Sequence, residues 1–425
     1  MEKFFAVADD LKNVAEKAEK LIAGYYQEID KIAAFNQAKV LKAFQQERVS
    51  DFHFNASTGY AYNDLGRETL EKVYAAVFGS EKALVRLQIS SGTHAISLCL
   101  YGILRPGDTV LSISGSPYDT LEEVLGSRNQ GYGSLKDFNI NYKKIDLLPD
   151  GKIDFAKVKA ALTPETKMVM LQRSRGYSWR PSFTIAEIKE AVDFVKNLRS
   201  DIVFFVDNCY GEFVETREPT EVGADLMAGS LIKNPGGGIA PTGGYVTGKE
   251  IYVDKAAARL TAPGIGGEIG ATLGYTRLLF QGFYLAPHIV SEALKGAVFA
   301  AQMFQDLGFE VSPKPGEKRT DIIQAIKMNE ADKLIAFCQG LQHYSPIDSH
   351  VSPEPAPQPG YQDKIIMAAG AFVEGASIEL SADGPLRPPY IAYLQGGLVK
   401  EQIKIAVIGA IQMMLEKRIL SLELK

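Results

Sequence analysis

The sequence predicts an α/β fold with a mostly parallel central sheet and a smaller α/β domain toward the C-terminal end. Three observations predict it. From about residue 82, short β-rich runs alternate with helical patterns, as βαβ units require. The runs VFFV and MVML are apolar without alternation, as strands covered on both faces should be. The 425 residues, 46% hydrophobic and 23% charged, are enough to bury a large core and to divide into two domains.

The elements follow in order. Residues 1–50 read as a helical arm, with Leu11, Val14, Ala18, Leu21 and Ile22 at helical spacing and no Pro. Such an arm is as able to cover a partner subunit as its own core. Residues 51–287 form the large domain. KALVRLQI (82–89) is predicted as a strand, followed by a helix over 91–104 and a turn at Arg105-Pro106-Gly107-Asp108. DTVLSIS (108–114) is the next strand and YDTLEEVLG (118–126) the next helix. NINYKKIDL, KMVMLQ (167–172) and DIVFFVDN (201–208) continue the strands, with the helix TIAEIKEAVDFVKNLR between the last two. Residues 288–425 form the small domain, opening on a long helix. The Pro-rich stretch 345–363 reads as a loop over the site.

Composition excludes several classes. The formal net charge of -5, without a basic stripe, argues against nucleic acid and against an anionic membrane surface. No window approaches a membrane-spanning apolar run, and the N-terminus has no secretory pattern. Cys99, Cys209 and Cys338 are far apart and odd in number, which predicts a reducing, cytoplasmic setting without disulfides. The five histidines show no HxxH or HExxH spacing, so no protein metal site is expected.

Three places carry chemistry. Ser91-Gly92-Thr93 stands where a strand hands over to a helix, and a helix N-terminus with a close-approach glycine suits phosphate. Asp207 ends an apolar strand, at the sheet edge where ligands bind in open α/β folds. Lys233 follows an apolar stretch and precedes Gly236-Gly237-Gly238. Apolar walls and neighbouring cations would make it a nucleophile toward carbonyls. Taken singly, each has an ordinary structural reading: a helix cap, a loop cap and a solvated lysine. A P-loop fails, because its glycines precede the lysine.

The order is more specific than the parts: a phosphate-type turn, an acid at a strand end, then Ser230-x-x-Lys233, with the lysine 26 residues after the acid. With Tyr118, Asp207-Asn208-Cys209-Tyr210, QRSRGYSWRPS (172–182) and KNPGGGIAPTGGY (233–245), the chain resembles the fold-type I enzymes that use pyridoxal 5'-phosphate (PLP). Within them it looks like the cystathionine and methionine lyase group, in the branch called aluminium-resistance or methionine gamma-lyase-like proteins.

The resemblance implies a PLP-dependent transferase-like large domain and a set of roles. Lys233 would carry the cofactor as a Schiff base and move the substrate's alpha proton. Asp207 would hold the pyridine nitrogen protonated. Ser91, Gly92, Thr93 and Ser230 would bind the phosphate. Tyr118 would stack on the ring and serve as an acid or base, and Cys209 would pack beneath it. The substrate carboxylate needs a cation, for which Arg387 in GPLRPPY comes first, Arg173 second and Arg175 third. Tyr60 or Tyr62 would stand for the tyrosine of the family's subunit-bridging Tyr-x-Arg motif. No Arg follows at that spacing, and Arg67 is further on. The implied partner is a small amino-acid substrate, and the implied assembly a homodimer or homotetramer. The implied activity is β- or γ-elimination at a carbon–sulfur bond. The alternatives are an aminotransferase, an aldolase, or a non-catalytic stress or binding protein with the same fold.

Overall fold

A computed structural model describes residues 4–128 and 132–421. Helix α1 (Asp9–Gln46) leads through an irregular segment into α2 (Leu65–Phe78). Asp64 caps α2 by accepting the Arg67 N–H, and Gly79 closes it with φ 60°. The large sheet has seven strands: β1 (Lys82–Arg86), β2 (Thr109–Ser112), β3 (Asn141–Lys144), β4 (Thr166–Gln172), β5 (Val203–Asp207), β6 (Leu226–Ser230) and β7 (Gly244–Gly248). Their order is β1-β7-β6-β5-β4-β2-β3. Strands β2 to β6 run parallel, and β7 is antiparallel to both β6 and β1. Helices α3 (Gly92–Ile103), α4 (Asp119–Leu125), α5 (Phe155–Ala161), α6 (Ile185–Leu198) and α7 (Glu250–Leu260) make the crossovers and flank the sheet.

Both faces of the sheet are covered, which is why the central strands are apolar throughout. Val169, Leu171, Phe204 and Val206 pack into one core with α2 and α6. Their neighbours Met168, Met170, Val203 and Phe205 pack into the other with α3 and α7. Each such side chain contributes about 1.5–3 kcal/mol by leaving water.

Helix α8 (Thr276–Asp306), with Pro287 inside it, leaves the large domain and enters the small one. The domain boundary expected at 287/288 falls within this helix. The small domain is an antiparallel sheet of β8 (Glu310–Ser312), β9 (Gln324–Lys327), β10 (Ile365–Ala368), β11 (Ser381–Pro385) and β12 (Ile391–Gln395), in the order β10-β11-β12-β9-β8. Helices α9 (Ala331–His343) and α10 (Lys400–Glu416) cover one face.

The arm does not stand apart from its own chain. Leu11, Val14, Ala15, Ala18 and Ile22 of α1 are buried with Val298–Phe304 of α8 and with Ile403, Val407 and Ile411 of α10. Val40 and Ala43, near its other end, join the large-domain core. Strand β1 is shorter than predicted, because the Ile89 N–H turns back onto the Arg86 carbonyl. Among the described residues, no helix is long and apolar enough to cross a membrane.

Candidate active site

The ends of β4, β5 and β6 and the start of α3 meet the small-domain strands β11 and β12 around a cavity of roughly 350 Å³. Ser91, Gly92, Thr93, Tyr118, Asp207, Cys209, Ser230 and Lys233 all line it. Sequence order had separated these residues by up to 142 positions (233 minus 91), and parallel strand ends bring them together.

The turn is a built anion cradle. The Ser91 hydroxyl caps α3 by accepting the His94 N–H at 3.0 Å. The N–H groups of Gly92 and Thr93 have no intrahelical acceptor at this helix start. A Cβ at position 92 would stand 3.2 Å from the Cys209 sulfur and 3.4 Å from the Ser230 Cβ. Glycine therefore lets the helix end sit directly on β5 and β6. The Thr93 and Tyr118 hydroxyls lie 2.8 Å apart. Gln172, unforeseen in the sequence, accepts the Tyr118 N–H at 3.0 Å and fixes where that ring starts.

Asp207 is buried, and its Oδ1 accepts the Cys209 N–H at 3.1 Å. Burial pushes its carboxyl up, while Lys233 and the Cys209 N–H pull it back. A cation against this acid therefore meets a carboxylate that lacks water to stabilise it. The Lys233 Nζ lies 4.1 Å from the centre of the Tyr210 ring. Tyr210 takes the left-handed conformation at φ 71° and donates to Ser377 at 3.1 Å, which ties this loop to the small domain. Burial lowers the affinity of Lys233 for its proton. Cys209, Tyr210, Asp207 and Tyr118 outweigh that and hold the ammonium above the ordinary lysine range. The sequence reading expected cations around this lysine, and the structure places an acid, a thiol and phenols there instead. Gly237, at φ 55°, lets the loop after Lys233 pass within contact of the Gly282 carbonyl of α8.

Four of the predicted residues, Arg173, Arg387, Arg175 and Tyr60, are not on the cavity wall. Arg173 is fully buried, and its guanidinium donates to Asn208, the Gly211 carbonyl, Glu215 and Glu218. It anchors the loop after Asp207 and has no face left for a substrate. Arg387 is 43% exposed and pairs with Asp363 at 3.0 Å. It lines a smaller adjoining cavity that shares Tyr118, Gln172, Gly176 and Tyr177 with the main one. Arg175 reaches that smaller cavity too, while its guanidinium donates to Ser312. Tyr60 is 68% exposed and packs on Tyr62. Its loop is held at the outer edge by Arg67, which donates to the Ala61, Glu268 and Gly270 carbonyls.

The far wall was not foreseen. It consists of Tyr177, Ser377, Ser381, Asp383, Tyr393 and Gln395. Tyr361 joins them from the Pro-rich loop, and the Gly360 carbonyl beside it accepts from Arg128 of the large domain at 2.8 Å. Among the described residues, no group of three or more His, Cys, Asp and Glu is placed to hold a metal ion.

Comparison with known proteins agrees with this geometry. The Bacillus subtilis protein YnbB, itself uncharacterised, is 55% identical over 411 residues, covering 96% of this chain and 98% of that protein. A candidate cystathionine beta-lyase involved in aluminium resistance from Listeria monocytogenes has a TM-score of 0.93 and 57% identity, covering 95% of this chain and 99% of that one. A carbon–sulfur lyase involved in aluminium resistance from Clostridium novyi has a TM-score of 0.92 and 53% identity, covering 96% of each chain. The methionine gamma-lyase family matches residues 11–415, from the arm helix to the last turn of α10. With both sheets and the whole cavity inside that match, the chain belongs to the methionine gamma-lyase family.

Proposed function

We propose that this chain is a PLP-dependent lyase that cleaves the carbon–sulfur bond of an amino acid by β- or γ-elimination. One observation carries the reading. A lysine amine, a desolvated acid and a phosphate-type helix start face each other across a single cavity. The family and the lyase named from Clostridium novyi support the reaction class.

The residues present fit the cofactor. Gly92, Thr93 and Ser230 would hold its phosphate, Asp207 its ring nitrogen, Tyr118 a face of the ring and Lys233 its aldehyde carbon. When bound, the cofactor supplies an electron sink for charge left on the substrate's alpha carbon. The chain's own groups move the protons. Lys233, in its neutral amine form, would take the alpha proton and return it, whereas the neighbouring side chains alone hold it as the ammonium. Burial keeps the Tyr118 hydroxyl protonated, so it has a proton to give a departing sulfur. Arg387, on the adjoining cavity, is the candidate for the substrate carboxylate.

The test is direct. The holoprotein is incubated with a panel of sulfur amino acids while keto acid, ammonia and thiol are measured. Equimolar release of all three supports the lyase reading. Amino transfer to a keto acid acceptor, or release of an aldehyde, replaces it with the aminotransferase or aldolase alternative. We also propose a homodimer or homotetramer, supported by exposed Tyr60, Tyr62, Leu65, Leu273 and Tyr275, which lie on segments bonded to one another around residues 57–65 and 270–275.

A further inference from the structure

Among the described residues, the cavity wall carries one cation, Lys233, and two acids, Asp207 and Asp383. No arginine lines it. The two acids have different neighbourhoods. Asp207 lies with Cys209 and Lys233. Asp383 lies with Tyr177 and Gln395, its charge also reaches Tyr361 and Tyr393, and Lys233 acts on it as it does on Asp207.

Asp383 is 8% exposed, and its Oδ2 accepts a long hydrogen bond of 3.4 Å from Gln395. Its Oδ1 is buried with no partner within hydrogen-bond distance, as is the hydroxyl of Ser381 on the same strand, while the Tyr177 hydroxyl also acts on the Asp383 carboxyl. Of the residues lining the cavity, these two alone hold buried side-chain polar atoms without partners, among the described residues. Around them stand tyrosines: the Tyr177 ring lies 5.2 Å from Tyr393 and 5.8 Å from Tyr361.

We propose that Asp383 and Ser381, walled by Tyr177, Tyr361 and Tyr393, form a subsite for a primary ammonium at the far end of the substrate side chain. This rests on the reading above that the cavity takes a thioether amino acid, and it names the kind. An ammonium supplies the donors that Asp383 Oδ1 and Ser381 lack. A neutral alkyl end, as in methionine, leaves both groups dry and unpaired, which costs far more than a lost methylene contact.

The test separates the subsite from the chemistry. Binding of L-lysine and L-ornithine to the holoprotein is compared by calorimetry at pH 8 with that of L-norleucine and L-norvaline. These pairs differ only in the terminal ammonium, and none carries a sulfur leaving group. The longer or shorter cationic ligand should bind at least about tenfold more tightly than its neutral match. Asp383→Asn should erase that difference while the neutral ligands bind at least as tightly as before, which also shows that the variant is folded. Ser381→Ala should reduce it. Equal affinities within both pairs, or an equal loss for cationic and neutral ligands in Asp383→Asn, would overturn the proposal.

Turnover of S-(2-aminoethyl)cysteine against S-propylcysteine gives the second arm. A preference for the aminoethyl thioether that Asp383→Asn abolishes supports the subsite. If both are cleaved alike by both proteins, the subsite falls and the lyase reading stands. If neither is cleaved although lysine or ornithine is preferred, the lyase reading falls and the subsite stands.

Discussion

The two walls of the cavity are built on different principles. The large-domain wall is made where parallel strands end and a helix begins. Its side chains are tied to the backbone: Ser91 to His94, Asp207 to Cys209, and the Tyr118 N–H to Gln172. The small-domain wall is made from the faces of antiparallel β11 and β12 and a Pro-rich loop. It holds the unpartnered Asp383 and Ser381 atoms. A wall with its polar groups already engaged is organised for one fixed chemistry. A wall with polar groups still open is organised for whatever side chain arrives. On the proposed reading, the first wall serves reaction and the second discrimination.

The largest effect should come from the reaction wall. Lys233→Ala should lower turnover of every substrate by about 10²–10⁴-fold or more and remove the lysine-linked absorbance of the holoprotein. A variant that keeps both breaks the assignment. Tyr118→Phe, which removes the hydroxyl beside Thr93, should lower kcat by about 10²-fold for cationic and neutral thioethers alike. An effect confined to cationic substrates would move Tyr118 to the other wall. A selective effect is instead expected of Asp383→Asn, and a uniform loss there would erase the distinction.

A smaller effect concerns stability. Glu212, behind the reaction wall, accepts from Tyr245 at 2.8 Å, and burial pushes its carboxyl up to about 8. The fold therefore favours the protonated acid. That contribution is complete below the ordinary glutamate range and is lost as pH rises through about 8. The melting temperature should fall between pH 7 and 9, by about 2 °C or more, and Glu212→Gln should flatten the fall. The smallest expected effect on chemistry is that of Leu273→Asp, on the exposed rim. It should shift the protein to a smaller species in sedimentation at unchanged helical content.

Legibility in the sequence divides along the same line. Asp207 could be read because four apolar residues precede it, and Ser91 because a helical pattern follows it. Lys233 could be read from the glycines after it. Strands β6 and β7 could not, since LMAGS and GYVTG hold too many small residues to show a β pattern. Asp383 lies in SADGP, which has the composition of a turn yet pairs as a strand in the second sheet. Arg173 misled because sequence shows a cation and not its partners. Arg173 is consumed by Glu215 and Glu218, residues more than forty positions away (215 minus 173 is 42).

Helix α1 has one more consequence, in the order of synthesis. Its apolar stripe, Leu11 to Ile22, leaves the ribosome long before the surfaces that cover it, Val298 to Phe304 and Ile403 to Ile411. For most of translation the nascent chain carries a greasy helix with nowhere to dock. The small domain cannot close its interior until this early segment meets surfaces synthesised long after it.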